Sequence, residues 1–268
     1  MPLAVCATPI GNLDDVTLRV LDELRQADAV LCEDTRRTRT LLDRHGIGAA
    51  LVSYHRHNEA GRTAEFLPRM SAGERVALVS DAGLPGVNDP GARLIAAALD
   101  IGVAVTVLPG ASAVETALVA SGLGADRYQF LGYLPRGAAA LGRLWEELTG
   151  WPHAAVAFES PKRLPSTLAS LAAALPERPT AVCRELTKRF EEVVRGLPSE
   201  LAERFAEAPK GEITLVLGPS GRTTQGDDRA ALEAIDALVA EGVGRRRATD
   251  VIAQLTGLRR NQLYRTSL

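Results

Sequence analysis

Four stretches of this 268-residue sequence carry residue types whose spacing could do chemistry, and each follows a short apolar run. They are Thr8-Pro9-Ile10-Gly11-Asn12, Glu33-Asp34-Thr35-Arg36-Arg37, Ser80 to Gly91 (SDAGLPGVNDPG) and Leu108-Pro109-Gly110-Ala111-Ser112-Ala113. In an open α/β sheet, ligands gather beyond the carboxyl ends of the strands, so a site is read first in such loops. None holds GxGxxG, whose glycines bring backbone up to a pyrophosphate, so a nicotinamide or flavin dinucleotide is disfavoured. No Walker A motif occurs, which removes ordinary P-loop phosphoryl transfer. The loop at 80–91 offers turns shaped by Gly83, Pro85, Gly86 and Pro90, small apolar side chains, and Asp81 as an acceptor. Such a surface suits a ligand without phosphate that joins a sulfonium cation and a zwitterionic tail to a ribose and a flat apolar base, as S-adenosylmethionine does. The bland alternative is a tight connection in which Asp89 caps the next helix.

These loops need a frame. Apolar runs at 3–7, 29–32, 50–53, 76–80 and 103–108 read as buried strands, and 17–25, 35–44, 59–70 and 92–99 carry leucines and alanines at helical spacing. The alternation predicts an α/β fold with parallel strands. A second series follows, with strands at 128–131, 154–158, 180–184, 192–195 and 213–217, and with 191–211 hairpin-like or mixed. The boundary falls near 109–112, giving units 1–111 and 112–219. Residues 218–228 (GPSGRTTQGDD) read as a linker, and 228–268 as a small basic helical domain with helices at 230–240, 248–255 and 261–268.

Charge restricts the partners. With 31 basic and 33 acidic residues, net −2, the surface as a whole does not attract polyanions, so a nucleic-acid partner needs a local patch. One exists at residues 243–268, where six arginines, Arg245, Arg246 and Arg247 among them, face one acid, Asp250, for a local net charge of +5. A solvated helix face is the alternative reading of that patch. Cys6, Cys32 and Cys183 form no CxxC pair, His55 and His57 lack a completing ligand set, and no metal is expected. A reducing cytoplasm fits, and no run of about 18 apolar residues argues for a membrane span.

Seven ordered segments together resemble the tetrapyrrole methylase superfamily, the class III methyltransferases, and within it the 16S ribosomal RNA (cytidine-2'-O)-methyltransferases. They are TPIGNLDDVTLR (Thr8 to Arg19), EDTRRT (Glu33 to Thr38), HNE (His57 to Glu59), SDAGLPGVNDPG, LPGASA (Leu108 to Ala113), GYLPR (Gly132 to Arg136) and RELTK (Arg184 to Lys188). The resemblance implies two αβα domains plus a small C-terminal helical domain, S-adenosylmethionine in the cleft between the two larger units, and a homodimer. It implies small-subunit ribosomal RNA, within an assembled subunit, as partner. It places the cofactor against Ile10, Asp81, Leu84, Ser112, Ala113, Phe158 and Glu212. In ESPKRL, Lys162 stands where the resemblance expects histidine.

Methyl transfer to a ribose hydroxyl is an in-line displacement at the sulfonium methyl, and a base helps remove the proton. Asp34 and Lys188 are the candidates for that role. The alternatives are an N-cap of the following helix for Asp34 and a surface pair with Glu191 for Lys188. Arg36, Arg37, Lys162 and Arg163 are candidates for RNA phosphate contacts, with solvated helix faces as the alternative. At 4% aromatic residues, an aromatic-rich stacking groove is not expected to dominate. A tetrapyrrole methyltransferase and a non-catalytic RNA-binding assembly factor are the competing functions; the basic tail argues against the first and the intact loops against the second.

Overall fold

The structure, a computed structural model, describes residues 2–124, 126–220, 225–256 and 260–267, without the side chains of 225–229 and 262. In β1 (Leu3–Cys6), Leu3 and Val5 face one hydrophobic cluster while Ala4 and Cys6 face another, as the two-residue period of an extended chain requires. All four are buried, the pattern of a strand covered on both faces. With β2 (Ala29–Cys32), β3 (Leu51–Ser53), β4 (Val76–Val79) and β5 (Val105–Leu108) it forms a wholly parallel sheet of order β3-β2-β4-β1-β5. Helices α1 (Leu18–Gln26) and α2 (Thr35–Arg44) cover the Ala4/Cys6 face through Val20, Leu21, Leu24 and Leu42. Helices α3 (Glu59–Ser71) and α4 (Ala92–Asp100) cover the other through Phe66, Met70, Leu94 and Ala98.

The neighbours β1 and β4 therefore send their connections to opposite faces of the sheet. Adjacent strands that part in this way leave a crevice at their carboxyl ends. A two-residue antiparallel bridge spans it, with Thr8 N–H donating to the Gly83 carbonyl at 2.8 Å and Gly83 N–H to the Thr8 carbonyl at 3.0 Å.

The second sheet, β6 (Tyr128–Tyr133), β7 (Ala154–Glu159), β8 (Thr180–Arg184), β9 (Glu192–Gly196) and β10 (Ile213–Leu217), has the order β6-β7-β10-β8-β9. Only β6 and β7 are parallel. The mixed character expected for 191–211 thus extends through the sheet, because β10, last in sequence, inserts between β7 and β8. Helix α5 (Ala113–Ser121) packs Val114, Ala117 and Leu118 on one face. On the other lie α6 (Ala138–Thr149), α7 (Leu164–Ala174) and α8 (Pro198–Arg204), with Trp145, Leu148, Leu168 and Leu201 buried.

Helices α9 (Gln225–Ala240), α10 (Arg245–Thr256) and α11 (Arg260–Thr266) share a small core of Ala231, Ile235, Ala248 and Leu263. Helix α9 starts inside the stretch expected to be linker, whose residues 221–224 lie outside the described ones. Among the described residues no helix is long and apolar enough to cross a membrane.

Candidate functional site

The crevice at β1 and β4 widens into a cavity of about 720 Å³ between the two sheets, and loop residue Ile10 packs into the same cluster as α5 of the second unit. One part of the wall is apolar. Phe158 meets Phe130 and Tyr133 edge to face, with ring centroids 5.0 and 5.5 Å apart, a favoured geometry for aromatic pairs. Ile10, Leu84, Ala111 and Ile213 complete that part, and Ser112, Ala113 and Val114 bring the start of α5 to the wall. The Ser112 hydroxyl donates to Glu115 and makes no side-chain cap, so the first-turn N–H groups of α5 have none. Another part is acidic: Glu33, Asp81, Asp89, Glu159 and Glu212 line it, with Arg37 beside them. All seven residues that the sequence resemblance assigns to the cofactor line this cavity.

Crowding of carboxylates sets the electrostatics. Burial, with the charges of Glu33 and Asp81, pushes the Asp89 carboxyl up to about 6. Burial and then Asp81 raise Glu33 as well. Asp81 is tied down: its Oδ1 accepts from Asp34 N–H at 3.0 Å, and its Oδ2 lies 3.4 Å from Arg37. Cys183 also lines the cavity, but burial pushes its thiol up to about 12, so it is no thiolate nucleophile. These groups fit a ligand with a flat apolar end, an anionic carboxyl for helix N–H groups, and cationic centres for the acids. That is the chemistry of S-adenosylmethionine.

A second cavity of about 300 Å³ adjoins the first and shares Ile10, Arg37, Asp81, Ala82 and Glu212 with it. Lys188 lines it. The expected pair with Glu191 does not form; Lys188 Nζ lies 2.9 Å from Glu185 and 3.0 Å from Glu212, while Glu191 accepts from Thr187 N–H. Burial alone pushes the ammonium down, but the hydrogen bonds and charges of Glu185 and Glu212 outweigh it and raise the group above an ordinary lysine. Lys188 is therefore a cation suited to holding oxygen, not a proton acceptor. Asp34 caps α2 and is chelated by Arg36 at 2.7 and 3.1 Å. Those hydrogen bonds hold its carboxyl far below the usual range, which makes it a weak base.

The predicted RNA cations separate into free and engaged groups. Arg36 is held by Asp34 yet highly exposed, Arg37 opens onto both cavities, and Lys162 is exposed. Arg163 is turned inward instead: it pairs with buried Glu159 at 2.5 Å and donates to the carbonyls of Leu134 and Pro135. In the tail, Arg245 braces the helices through Asp236 and the Ser267 carbonyl, and Arg260 pairs with Asp250. Arg246 and Arg247 stay exposed; Arg259 lies outside the described residues. Asp89 is no helix cap, since α4 begins at Gly91 without a side-chain cap. The sequence signal for Glu33 as a site acid was its place directly after β2, and for Asp89 its place in the loop at 80–91, neither of which a single carboxylate makes specific.

Residues 2–202 match the family model for Tetrapyrrole (Corrin/Porphyrin) Methylases. A relative from Micromonospora olivasterospora named ribosomal RNA small subunit methyltransferase I is 43% identical over 265 residues, covering 98% of this chain and 85% of its own. One of the same name from Mesorhizobium japonicum is 43% identical over 270 residues, covering 99% and 91%. Among solved structures, uroporphyrin-III C-methyl transferase from Thermus thermophilus complexed with S-adenyl homocysteine has a similar fold, with a TM-score of 0.57 at 19% identity over 81% of this chain and 96% of that one.

Proposed function

Since the chain belongs to the tetrapyrrole methylase family, we propose that it transfers the methyl group of S-adenosylmethionine to a ribose 2'-hydroxyl of a cytidine in small-subunit ribosomal RNA. The observation that carries this is the paired cavity at the β1/β4 crevice: an aromatic and acidic cleft large enough for the cofactor, opening through Arg37 and Asp81 into a smaller polar pocket lined by Lys188 and Glu212. The named relatives over nearly the full chain support RNA rather than a tetrapyrrole as acceptor. Phe158, Ala113 and Ile10 take the adenosyl group, the start of α5 at Ser112 the carboxylate, and Asp81 and Glu212 the cationic end, with Leu84 closing the wall. When bound, S-adenosylmethionine would supply the methyl group to the hydroxyl oxygen and leave as S-adenosylhomocysteine, with the hydroxyl proton passing to solvent water. Lys188, held as a cation, steadies the oxygen; Arg36, Arg37, Lys162, Arg246 and Arg247 contact phosphates. The protein acts on the assembled small subunit in the cytoplasm as a homodimer, a reading helped by exposed Val107 on edge strand β5 and Val119 on α5.

Incubation with labelled cofactor and small ribosomal subunits is expected to place label on ribosomal RNA and to make one linkage resistant to alkali, because a methylated 2'-oxygen cannot attack the neighbouring phosphate. Label on a base, on protein, or only on an added tetrapyrrole overturns the assignment.

The raised Asp89 carboxyl gives the cofactor site a pH dependence. Below about pH 6 Asp89 is protonated and no longer attracts the sulfonium; above it the anion does. Affinity is therefore expected to fall about two- to fourfold between pH 7.5 and 5.5, because about a quarter of the Asp89 carboxyl is still ionised at the lower pH. Stability of the ligand-free protein runs the other way. A carboxyl raised in the fold contributes stability that is complete below pH 4 and is lost as pH rises through 6. Calorimetric titration of the Asp89→Asn variant checks this: a pH dependence as steep as the parent's removes Asp89 from the account.

A further inference from the structure

The β8–β9 connection, residues 185–191, is built far more rigidly than its exposure requires. Glu185 (φ 52°) and Thr187 (φ 63°) both occupy the left-handed region, which non-glycine residues hold only when their surroundings force it. The surroundings are visible. A Cβ on Gly11 would come within 2.6 Å of the Leu186 carbonyl and the Thr187 hydroxyl, so only glycine lets the first loop lie against this one. Asn12 N–H then donates to Thr187 Oγ1 at 3.0 Å, and Glu191 accepts from Thr187 N–H at 2.6 Å. From beneath, Glu185 Oε1 accepts from both Lys188 and Glu212 N–H at 2.9 Å.

This braced loop delivers Lys188 to the smaller cavity and, in the next two positions, points Arg189 and Phe190 into solvent. Phe190 is 64% exposed, and the Arg189 guanidinium lies 5.5 Å from its ring centroid. Arg189 forms no ion pair with any described residue, unlike Arg163 or Arg245. An exposed phenylalanine contributes little to packing, and a cation held against its ring leaves the other face open. They follow directly on Lys188, which lines the smaller polar cavity with Arg37, Asp81 and Glu212, and the ring and its guanidinium match an unpaired nucleotide: the ring takes the flat base and the unpaired cation the phosphate.

We propose that the smaller cavity takes the acceptor nucleotide and that Phe190, with Arg189 against its ring, is a platform on which a neighbouring unpaired RNA base stacks. This rests on the RNA reading above. It is a single platform, not an aromatic groove, in keeping with the low aromatic content. Residues 189 and 190 line neither cavity and are positioning residues.

The test separates the two readings. For Phe190→Ala, KM for small ribosomal subunits is expected to rise about ten- to a hundredfold, the range that loss of one stacked base gives, while cofactor affinity stays unchanged. Phe190→Tyr is expected to restore the parent KM. Arg189→Gln lowers the salt slope of RNA affinity by about one counterion. The extra fluorescence of the Phe190→Trp variant is expected to be quenched by a single-stranded oligoribonucleotide and not by cofactor. An unchanged KM in Phe190→Ala overturns the platform even though the parent methylates RNA. A parent that transfers no methyl to RNA overturns the functional reading instead; the platform is then judged by the fluorescence, and absence of quenching overturns it.

Discussion

Asp81→Asn is expected to leave the fold intact and to weaken S-adenosylmethionine binding about ten- to a hundredfold, the loss of one charge-assisted hydrogen bond. The geometry makes asparagine the informative substitution. Asp81 Oδ1 holds the Asp34 N–H at 3.0 Å and so fixes the turn into α2; an amide oxygen in the same place keeps that bond. What asparagine removes is the negative charge facing the cavity, and it releases Arg37, 3.4 Å away, from its counterion. The cleft then gains net positive charge where the ligand brings a sulfonium. Asp81→Ala loses both functions and is expected to lower stability as well, by about 1–3 kcal/mol for the orphaned N–H. Calorimetry and thermal melting on both variants separate the roles. Normal affinity in Asp81→Asn, with instability confined to the alanine variant, makes Asp81 a turn residue only.

The frame was legible in the sequence wherever burial on both faces leaves a continuous apolar run. The parallel sheet shows this in Ala29–Cys32 and Val76–Val79, and so do Thr180–Arg184 and Ile213–Leu217 in the second sheet. The loop positions followed from the strands, because ligands collect where adjacent connections part, and the cofactor residues expected there meet in one cavity. What was not legible is which distant group each charge finds. Lys188 has Glu191 three residues away, yet Gly211 and the tight turn at Glu185 put Glu212 beside it instead. Strand β10 could not be ordered between β7 and β8 from local pattern, since its run looks alike in any central place.

The arginines show the same limit. Arg163 and Lys162 are adjacent in sequence and equally basic, but only one turns toward the Glu159 carboxylate that ends β7. In the tail, formal charge overstates the free charge, because Asp236, from outside the basic stretch, engages Arg245. Phe190 carried a readable signal, an aromatic between Arg189 and two acids in a loop. Composition hides it, since a low aromatic share says nothing about where one ring is placed.

Glu159→Ala is expected to destabilise the second unit by about 3 kcal/mol. The Glu159 side chain is fully buried at the end of β7, where it accepts from Thr167 at 2.6 Å and from Ser160 N–H, and pairs with Arg163 at 2.5 Å. Removing one partner of a buried pair typically costs about 3–5 kcal/mol, since the other charge stays uncompensated. Arg163 keeps about a quarter of its side chain exposed, so water relieves it in part and the low end applies. The consequence reaches the site. Arg163 also holds the carbonyls of Leu134 and Pro135, just beyond Tyr133 in the cleft wall, and Glu159 itself lines the cavity. A released guanidinium loosens that wall, so cofactor affinity is expected to fall with stability. The double variant Glu159→Ala/Arg163→Met discriminates the cause: with no stranded charge it should recover much of the lost melting temperature, because an apolar replacement of a buried pair is often neutral. If the double variant melts as low as the sum of the two single losses, the pair is not coupled and the cost lies in the Thr167 and Ser160 hydrogen bonds.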